Sequence, residues 1–321
     1  MSQEYKKLNV AVMGYGFLGK WHCEKVEQAG AHLYAIIDPF TENLKKAQEK
    51  YPDVLCVTSW QEVVEGADVF LIVTPTSTHF DLVQTLLSKD KHIFCEKPLC
   101  SNYEQALKLK KIVESTSALL QVGHSERFHA VWDILLTKPN LHSFLQEKSS
   151  TLILTREAPF KGRALDVDVV QDLMIHDLDL VLYLTGEMPQ SVLAFGYKIR
   201  TNFYDYVCAT LQFKSGRCVI LKVGRNQTEE VRELETTSRL GSLKVDLMNL
   251  SYSYLQAHAE QVVTQTYPKR DHLLLEQQSF YHSIHHKQKP LVTFEDGVRA
   301  VKLVDAVLAS LSSHQKVDIH E

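Results

Sequence analysis

Residues 10–19 read Val-Ala-Val-Met-Gly-Tyr-Gly-Phe-Leu-Gly, an apolar strand that runs directly into a Gly-x-Gly-x-x-Gly turn. In such a turn Gly14 permits the tight bend, Gly16 lets the backbone approach a pyrophosphate, and Gly19 lets the next helix pack closely. The free N–H groups and the positive dipole end of that helix attract the diphosphate. The motif therefore predicts a strand–helix–strand unit that binds a dinucleotide.

The residues on both sides of the glycines support this interpretation. Residues 8–13 are an apolar strand, and residues 17–29 are a helical segment that ends at Gly30, a typical C-cap. The next strand, 32–37, leads into Asp38, about twenty residues beyond the glycines, where a carboxylate accepts hydrogen bonds from the adenosine ribose of NAD. A Rossmann-like fold that binds no cofactor is the alternative.

Asp38 also predicts which nicotinamide cofactor is bound. Its negative charge repels the 2′-phosphate of NADP, and Pro39 and Phe40 supply no arginine to pair with that phosphate. We therefore expect NAD. Lys45 and Lys46 lie nearby in the sequence and keep NADP as the less favoured alternative.

The composition argues against several classes of protein. With 321 residues the chain is long enough for two domains, and 45% hydrophobic with 23% charged residues is ordinary for a soluble globular protein. A formal net charge of −4 gives no basic footprint for nucleic acid. No apolar run approaches the ~18 residues of a membrane span, and the polar N-terminus lacks the apolar core of a signal peptide.

The six cysteines form no Cys-x-x-Cys pair and no recognisable zinc-ligand spacing. Several lie in apolar runs, where a free cysteine packs as a small hydrophobic residue. We expect reduced thiols and a cytoplasmic location.

The pattern of strands and helices changes near residue 122. Before it, strands and helices alternate as in a doubly wound parallel sheet, so we predict an α/β, NAD-binding Rossmann domain over residues 1–122. From Gly123 onward, strands are expected at 191–200, 204–214, 217–224 and 231–237, and helices at 169–184, 272–285 and 295–311. We predict an α+β domain with an open, mostly antiparallel sheet over residues 123–321.

Lys97 lies just beyond the predicted strand at 92–95. Ligands bind beyond the carboxyl ends of the strands in doubly wound sheets, and Pro98 restricts Lys97 to an extended backbone. Lys97 is therefore a candidate for ligand contact. An ordinary surface lysine beside a turn is the alternative.

A second polar cluster lies in the predicted helix at 169–184. Asp172 and His176 are four residues apart and Asp179 is three further on, so one α-helix presents all three on one face. A histidine beside carboxylates is a proton-transfer arrangement, and a helix-surface network or a core histidine is the alternative. Such residues also ligate metals, but no comparable histidine cluster lies nearby, so we expect no metal.

In order and spacing, these motifs resemble the glucose-fructose oxidoreductase/inositol dehydrogenase (Gfo/Idh/MocA) family over nearly the whole chain. The motifs are the three glycines, Asp38, the Thr74-Pro75-Thr76 turn with His79, Glu96-Lys97-Pro98 and Asp172-x-x-x-His176. Members oxidise or reduce a secondary alcohol on a sugar or cyclitol ring with NAD(P). Their open second sheet often forms oligomers, so the resemblance implies a sugar dehydrogenase that is a homodimer or homotetramer.

The resemblance also implies roles for individual residues. His176 is expected to be the general acid/base, Lys97 the cation near the reacting oxygen, and Asp172 an assisting group. Hydride transfer from an alcohol needs such a base and such a cation, while the nicotinamide takes the hydride. Cofactor contacts are implied for Gly14, Gly16, Phe17, Leu18, Gly19, Asp38, Thr74, Pro75, Thr76, His79, Glu96 and Lys97.

The segment at 121–128 resembles family members that act on UDP-N-acetylglucosamine-type sugars at C3, and residues 159–179 are similar to the same subgroup. The resemblance implies a nucleotide-sugar substrate, a UDP-N-acetylhexosamine oxidised at its 3-hydroxyl. Glu126 is then expected to accept from sugar hydroxyls, and Arg127 or Arg163 to pair with phosphate. Asp172 and His176 complete the expected substrate site.

Three alternatives stay open. A free sugar or inositol is the second candidate substrate. A non-catalytic NAD-binding regulator on the same fold is the competing class of protein, because fold alone does not fix function. A purely structural oligomer has only the second-domain sheet in its favour.

Overall fold

The chain forms two compact units in a computed structural model that describes residues 8–162 and 165–320. The first unit extends to Ser125 and takes in Asp271–Val301, and the second comprises Glu126–Arg270 and the chain from Lys302 onward. The expected single division at 122/123 lies close to the first boundary. The structure differs from that expectation because residues 271–301 belong to the first unit.

Up to Ser125, strands and helices alternate. The elements are β1 (Asn9–Met13), α1 (Phe17–Gln28), β2 (His32–Ile37), α2 (Thr41–Lys50), β3 (Leu55–Val57), β4 (Val69–Ile72), α3 (His79–Leu87), β5 (His92–Glu96), α4 (Tyr103–Ser115) and β6 (Leu120–Gly123). The six strands form a parallel sheet in the order β3-β2-β1-β4-β5-β6. The strand order reverses between β1 and β4, which is where doubly wound sheets bind dinucleotides.

After Ser125 the chain is richer in strands. The elements are α5 (Ala130–Thr137), α6 (Pro139–Gln146), β7 (Ser150–Glu157), a π-helical turn (Val170–Met174), α7 (Ile175–Thr185), β8 (Ser191–Tyr197), β9 (Tyr206–Gln212), β10 (Cys218–Gly224), β11 (Val231–Ser238), β12 (Gly241–Asp246), β13 (Ser251–Gln256), β14 (Val263–Thr266), α8 (His272–His286), α9 (Phe294–Ser313) and β15 (Val317–Asp318).

Strands β7 to β15 form a nine-stranded sheet in the order β14-β13-β12-β11-β7-β10-β9-β8-β15. Strands β7 and β10 pair in parallel, and the other neighbours in this sheet pair antiparallel. The predicted fold, a parallel Rossmann sheet followed by a mostly antiparallel one, is confirmed. The strand β7 at its centre was not predicted, because it pairs with β10 and β11 across more than sixty intervening residues.

Helix α8 belongs to the first unit because it contributes to the core of that unit. Phe280 and Tyr281 are fully buried in a cluster with Val26 of α1 and Phe94 of β5. The rings of Phe94 and Phe280 lie 6.2 Å apart between centroids. Burying an aromatic side chain stabilises a fold by roughly 2–3 kcal/mol, so these two residues hold α8 on the Rossmann sheet.

Among the helices of the described residues, none combines the length and the apolar character that crossing a membrane requires.

Candidate functional site

The glycine turn has the geometry that a bound dinucleotide needs. Gly14 has φ +92°, and a Cβ on it would lie 2.6 Å from the carbonyl oxygen of Val73. A Cβ on Gly19 would lie 1.9 Å from the carbonyl oxygen of Gly14. Gly16 is different, because a Cβ there would meet no atom of the described residues within 4 Å. Only Gly14 and Gly19 are therefore required by the protein itself, and the space beside Gly16 is open for a ligand.

Helix α1 begins directly after Gly16, which has no side chain to cap its first turn. The N–H groups of that turn are thus available to a diphosphate. Phe17 and Leu18 are 76% and 38% exposed, unusual for apolar residues in a core-facing motif. Both expected cofactor residues lie at the surface beside the turn.

Asp38 lies at the end of β2 and is buried. Its Oδ2 accepts hydrogen bonds from the backbone N–H of Tyr15 (2.8 Å) and from Nδ2 of Asn43 (3.1 Å), and its Oδ1 accepts one from the backbone N–H of Phe40 (2.9 Å). An ionised carboxylate has about four acceptor positions. Oδ1 therefore retains capacity for a ribose hydroxyl, and these residues fit NAD.

The turn after β4 is connected to the loop after β5 by His79. The buried ring of His79 has Nδ1 2.8 Å from the carbonyl oxygen of Pro98 and Nε2 2.9 Å from that of Thr74. Burial lowers the pKa of His79, and the two carbonyl groups oppose that shift. Pro75 and Thr76, which start the 3₁₀ turn here, are thereby fixed relative to the carboxyl end of β5.

Glu96 ends β5 and Lys97 follows it. The carboxylate of Glu96 accepts a hydrogen bond from the backbone N–H of Lys97 (3.1 Å) and contacts Nε2 of His22 at 2.9 Å. Glu96 is 7% exposed, whereas Lys97 is half-buried and precedes a cis peptide bond to Pro98. The structure therefore turns Glu96 into the protein and leaves Lys97 as the partly accessible member of the motif.

The sequence predicted that Asp172 and His176 lie on one continuous α-helix, and the structure differs. Asp172 is in the π-helical turn Val170–Met174, and His176 is the second residue of α7. Both side chains are half-buried. π-helical turns are rare and occur frequently at functional sites. Asp179, expected on the same face, is instead fully buried.

Asp179 is bound by Arg127, which was expected to contact phosphate. Nε of Arg127 donates to Oδ2 of Asp179 (2.8 Å), and its Nη2 donates to Oδ1 (2.6 Å), a bidentate pair. The guanidinium also lies over the ring of Tyr183 at 4.9 Å. Because the fork of Arg127 is occupied within the protein, it is poorly placed to bind a phosphate. Arg163, the other expected phosphate ligand, lies outside the described residues.

Glu126 lies in a second buried charge cluster. Arg156 of β7 donates to Glu126 (3.1 Å) and to Asp177 (2.8 Å), and Nε2 of His129 lies 3.2 Å from Glu126. Burial raises the pKa of Glu126, but the charges of Arg156, His129 and His176 outweigh it and hold that pKa well below its usual value. Glu126 is thus an internal anion whose charge interacts with His176.

A cavity in the second unit has Asp172 in its wall. Most of its other residues have no role that the sequence predicts; Phe160 and Lys161 lie in the segment that resembles the subgroup, whereas Arg225 and Arg232 lie outside it. Arg225 and Arg232 are separated from Asp172 by more than fifty residues, and only the sheet brings them to one cavity. No local pattern in the sequence marks them.

Comparison with known proteins agrees with this geometry. Residues 8–124 match the description "Oxidoreductase family, NAD-binding Rossmann fold", and residues 166–319 match "Oxidoreductase family, C-terminal alpha/beta domain" of the Gfo/Idh/MocA group. UDP-N-acetylglucosamine 3-dehydrogenase of Acidithiobacillus ferrooxidans is 31% identical over 245 residues, 75% of each chain.

The chain belongs to the Gfo/Idh/MocA oxidoreductase family.

Other known proteins are similar to this chain in sequence, in structure or in both. An inositol 2-dehydrogenase of Rhizobium meliloti is 30% identical over 227 residues, 68% of each chain. The solved structure of the Acidithiobacillus enzyme superposes with a TM-score of 0.87 at 28% identity, covering 95% of this chain and 98% of that one. A levoglucosan dehydrogenase solved with NADH and levoglucosan shares the fold, with a TM-score of 0.86 at 17% identity over 98% and 100% of the chains.

The predicted family and the predicted NAD-binding Rossmann domain are therefore confirmed. The roles of Lys97, Asp172 and His176 stay predictions, as do the individual contacts with cofactor and substrate.

Proposed function

We propose that this member of the family oxidises a secondary alcohol of a sugar with NAD, and that the sugar is a UDP-N-acetylhexosamine oxidised at its 3-hydroxyl. The observation that carries the proposal is the cavity of the second unit, where Asp172 shares a wall with Lys161 and Arg232, two cations that also pair with Glu230 of the same wall. Cationic groups beside a carboxylate suit a ligand with both sugar hydroxyls and phosphates. The similarity to UDP-N-acetylglucosamine 3-dehydrogenase supports the same class of substrate.

The proposed chemistry is a balanced alcohol oxidation. When bound, NAD accepts a hydride at its nicotinamide ring. The C3 carbon of the sugar loses that hydride while the hydroxyl oxygen loses its proton to His176, and a 3-keto sugar is formed. The ammonium of Lys97 stabilises the negative charge that develops on the oxygen, and Asp172 orients His176.

Glu126 supports the proposed base. Its carboxylate stays ionised in the buried cluster, and a nearby negative charge favours the protonated form of His176. The imidazolium that results from proton transfer is thereby stabilised. In this proposal Glu126 and Arg127 act through other residues rather than by touching the sugar.

The second candidate is an inositol or a free sugar. It is favoured by the 30% identity to the Rhizobium inositol 2-dehydrogenase over 68% of the chain. Such a substrate has no phosphate, so it would make no use of Lys161 and Arg232. The two candidates therefore differ in whether these cations affect the KM.

The test is formation of NADH, followed by absorbance, with UDP-N-acetylglucosamine, its 3-deoxy analogue, its uronic acid, myo-inositol and glucose. We expect activity with one of the nucleotide sugars and none with the 3-deoxy analogue. Arg232→Met should raise the KM for the nucleotide sugar, whereas Lys244→Met, which removes a partly exposed cation on β12, should not. Activity with myo-inositol or glucose but not with either nucleotide sugar contradicts the proposal.

We also propose a homodimer or homotetramer formed through the outer face of the nine-stranded sheet. Phe195 and Tyr197 at the end of β8 are 54% and 64% exposed, and Ile199 just beyond is 52% exposed. Phe195 and Tyr197 alternate along β8 and therefore lie on one face of the sheet, and Ile199 adds apolar surface just beyond the strand. Exposed apolar patches of this kind mark interfaces. Light scattering should give an oligomer for the wild type and a smaller species for Tyr197→Glu, with Lys198→Glu as the control.

A further inference from the structure

A buried cluster in the first unit has no role in the proposed reaction. It consists of His22 of α1, Glu96 of β5 and Glu276 of α8. One nitrogen or oxygen atom from each side chain lies within 4.8 Å of the others. Two of the three residues are glutamates, and two negative charges cannot be buried side by side without compensation. The protonation of each group therefore decides the charge of the cluster.

The protonation of His22 follows from its hydrogen bonds. Nε2 of Gln277 lies 3.2 Å from the backbone oxygen of His22, an atom that can only accept, and 3.0 Å from Nδ1 of the ring. The hydroxyl of Tyr281 donates to Oε1 of Gln277 (3.0 Å), which is consistent with the same amide orientation. Nδ1 of His22 is therefore an acceptor, and its Nε2 carries the hydrogen that is donated to Glu96.

Glu96 is consequently the ionised member of the cluster. Its Oε1 accepts from Nε2 of His22 (2.9 Å), and its Oε2 accepts from the backbone N–H of Lys97 (3.1 Å). Burial raises the pKa of Glu96, but the hydrogen bond from His22, the electrostatic attraction of the same ring and then the charge of Lys97 bring that pKa below its usual value.

Glu276 has the opposite surroundings. Its side chain is fully buried, and neither carboxyl oxygen accepts a hydrogen bond from a donor group of the described residues. The charged groups that act on it are Glu96 of β5 and Asp271 at the start of α8, both negative. Lys25 of α1 pairs with Asp271 at 2.8 Å. Burial and these two negative charges raise the pKa of Glu276 well above its usual value.

A second buried negative charge beside Glu96 would be unstable, because no cation of the described residues compensates it. A metal ion could neutralise two carboxylates, but Nε2 of His22 carries a hydrogen and is not available as a ligand while it donates to Glu96. A proton on Glu276 removes the repulsion and also supplies a donor for Glu96.

We propose that Glu276 is a neutral carboxylic acid that shares its proton with Glu96, and that this acid pair positions Lys97. The second part rests on the proposed role of Lys97 in the reaction. Glu96 holds the backbone of Lys97 directly, so fixing Glu96 from α1 and α8 fixes the direction from which the lysine side chain starts. Glu276 is thus a positioning residue, 179 positions away in the sequence from the lysine that it positions.

The protonation is tested by the pH dependence of stability, without substrate. An acid whose pKa is raised in the folded state binds more protons when folded than when unfolded, so it lowers stability as pH rises above about 4.3, the pKa of an unfolded glutamate. The Glu276→Gln variant has no acid at this position and therefore lacks this pH-dependent loss of stability. We expect the unfolding constant of the wild type to rise relative to that of Glu276→Gln by up to tenfold per pH unit, until the folded pKa is reached.

Glu49→Gln is the matched control, since Glu49 is an exposed residue on α2. Its unfolding constant should depend on pH in the same way as that of the wild type. The same pH dependence in Glu276→Gln as well would overturn the proposal. The proposal would also be overturned if the wild type retained one equivalent of metal after dialysis and the Glu276→Gln variant did not.

The positioning role is tested by kinetics. Glu276→Gln keeps a neutral donor, and its amide N–H₂ should hold Glu96, so kcat should stay within a few-fold of the wild type. Glu276→Leu loses the donor, and we expect kcat to fall by ~10² with the Kd of NAD little changed, because misplacing a reacting group by about 1 Å costs this much.

Gln278→Leu on the same helix is the control and should keep its kcat. Equal losses in Glu276→Gln and Glu276→Leu, or a normal kcat in Glu276→Leu, overturn the positioning role. If the wild type oxidises no sugar at all, the proposed function fails, while the pH dependence of stability still decides the protonation of Glu276.

Discussion

The carboxylate of Asp38 accepts a hydrogen bond from the backbone N–H of Tyr15 at 2.8 Å, which ties the end of β2 to the middle of the glycine turn. Tyr15 lies between Gly14 and Gly16, the two residues that shape the proposed diphosphate site. Asp38 thereby has two functions. It fixes the turn, and its Oδ1 keeps capacity for a ribose hydroxyl.

Replacing Asp38 should change both the affinity and the choice of cofactor. Hydrogen bonds to a charged group contribute about 1.5–3 kcal/mol, so Asp38→Ser should raise the Kd of NAD by roughly 10- to 150-fold. The same variant should bind NADP better than the wild type does, because the charge that repels a 2′-phosphate is gone. Fluorescence titration with both cofactors measures this. Glu42→Ser, an exposed control, should bind as the wild type does, and a wild type that prefers NADP contradicts the assignment.

The two glycines of the turn should respond differently to alanine. Gly16→Ala should leave the melting temperature of the apo-protein nearly unchanged, since its Cβ meets no atom of the described residues within 4 Å. It should nonetheless weaken NAD binding, because the Cβ occupies the space of the diphosphate. Gly19→Ala should lower the melting temperature, since its Cβ would lie 1.9 Å from the oxygen of Gly14. Unimpaired NAD binding by Gly16→Ala would place the diphosphate elsewhere.

His176→Ala should lower kcat by ~10² to 10⁴, the contribution typical of a general acid/base. The Kd of NAD should change little, because the loss is confined to proton transfer. Stopped-flow measurement of NADH formation checks this, with His286→Ala, an exposed histidine of α8, as control. Near-normal turnover of His176→Ala would show that another group accepts the proton.

Lys97→Ala should also reduce kcat strongly, because removing one group that stabilises a developing oxyanion costs ~10² to 10³. The KM should rise less than kcat falls, since the cation acts mainly on the transition state. Lys111→Ala on α4 is the exposed control. A Lys97→Ala variant with normal kcat and a raised Kd for NAD would make Lys97 a cofactor ligand only.

Arg156 should be important for stability. Arg156→Met leaves Glu126 and Asp177 buried without their shared cation, and breaking such a pair costs about 3–5 kcal/mol. The pair of Lys244 with Glu233 is partly exposed to water, so Lys244→Met should cost at most about 1 kcal/mol. Urea unfolding followed by fluorescence compares the two. If Arg156→Met lowered the free energy of unfolding as little as Lys244→Met does, water would have to solvate Glu126 and Asp177.

Much of the first unit could be predicted from local sequence. The strands β1 and β4 are short apolar runs bounded by turns, and the glycine turn, Asp38 and Lys97 follow strand ends directly. Each of these features depends on residues close together in the chain. The resemblance to the family added the expected roles of Asp172 and His176, which no spacing by itself establishes.

Other parts of the protein were decided by tertiary structure. From the sequence, Arg127 is a candidate phosphate ligand and Asp179 is part of a polar helix face, but packing joins them in a buried pair across 52 positions. Glu276 is an ordinary helix residue in the sequence, and only the docking of α8 on the Rossmann sheet brings it to Glu96. The physical reason is the same in both cases. Local sequence determines turns and periodicity, whereas the partner and protonation of a buried charge depend on which distant groups exclude water from it.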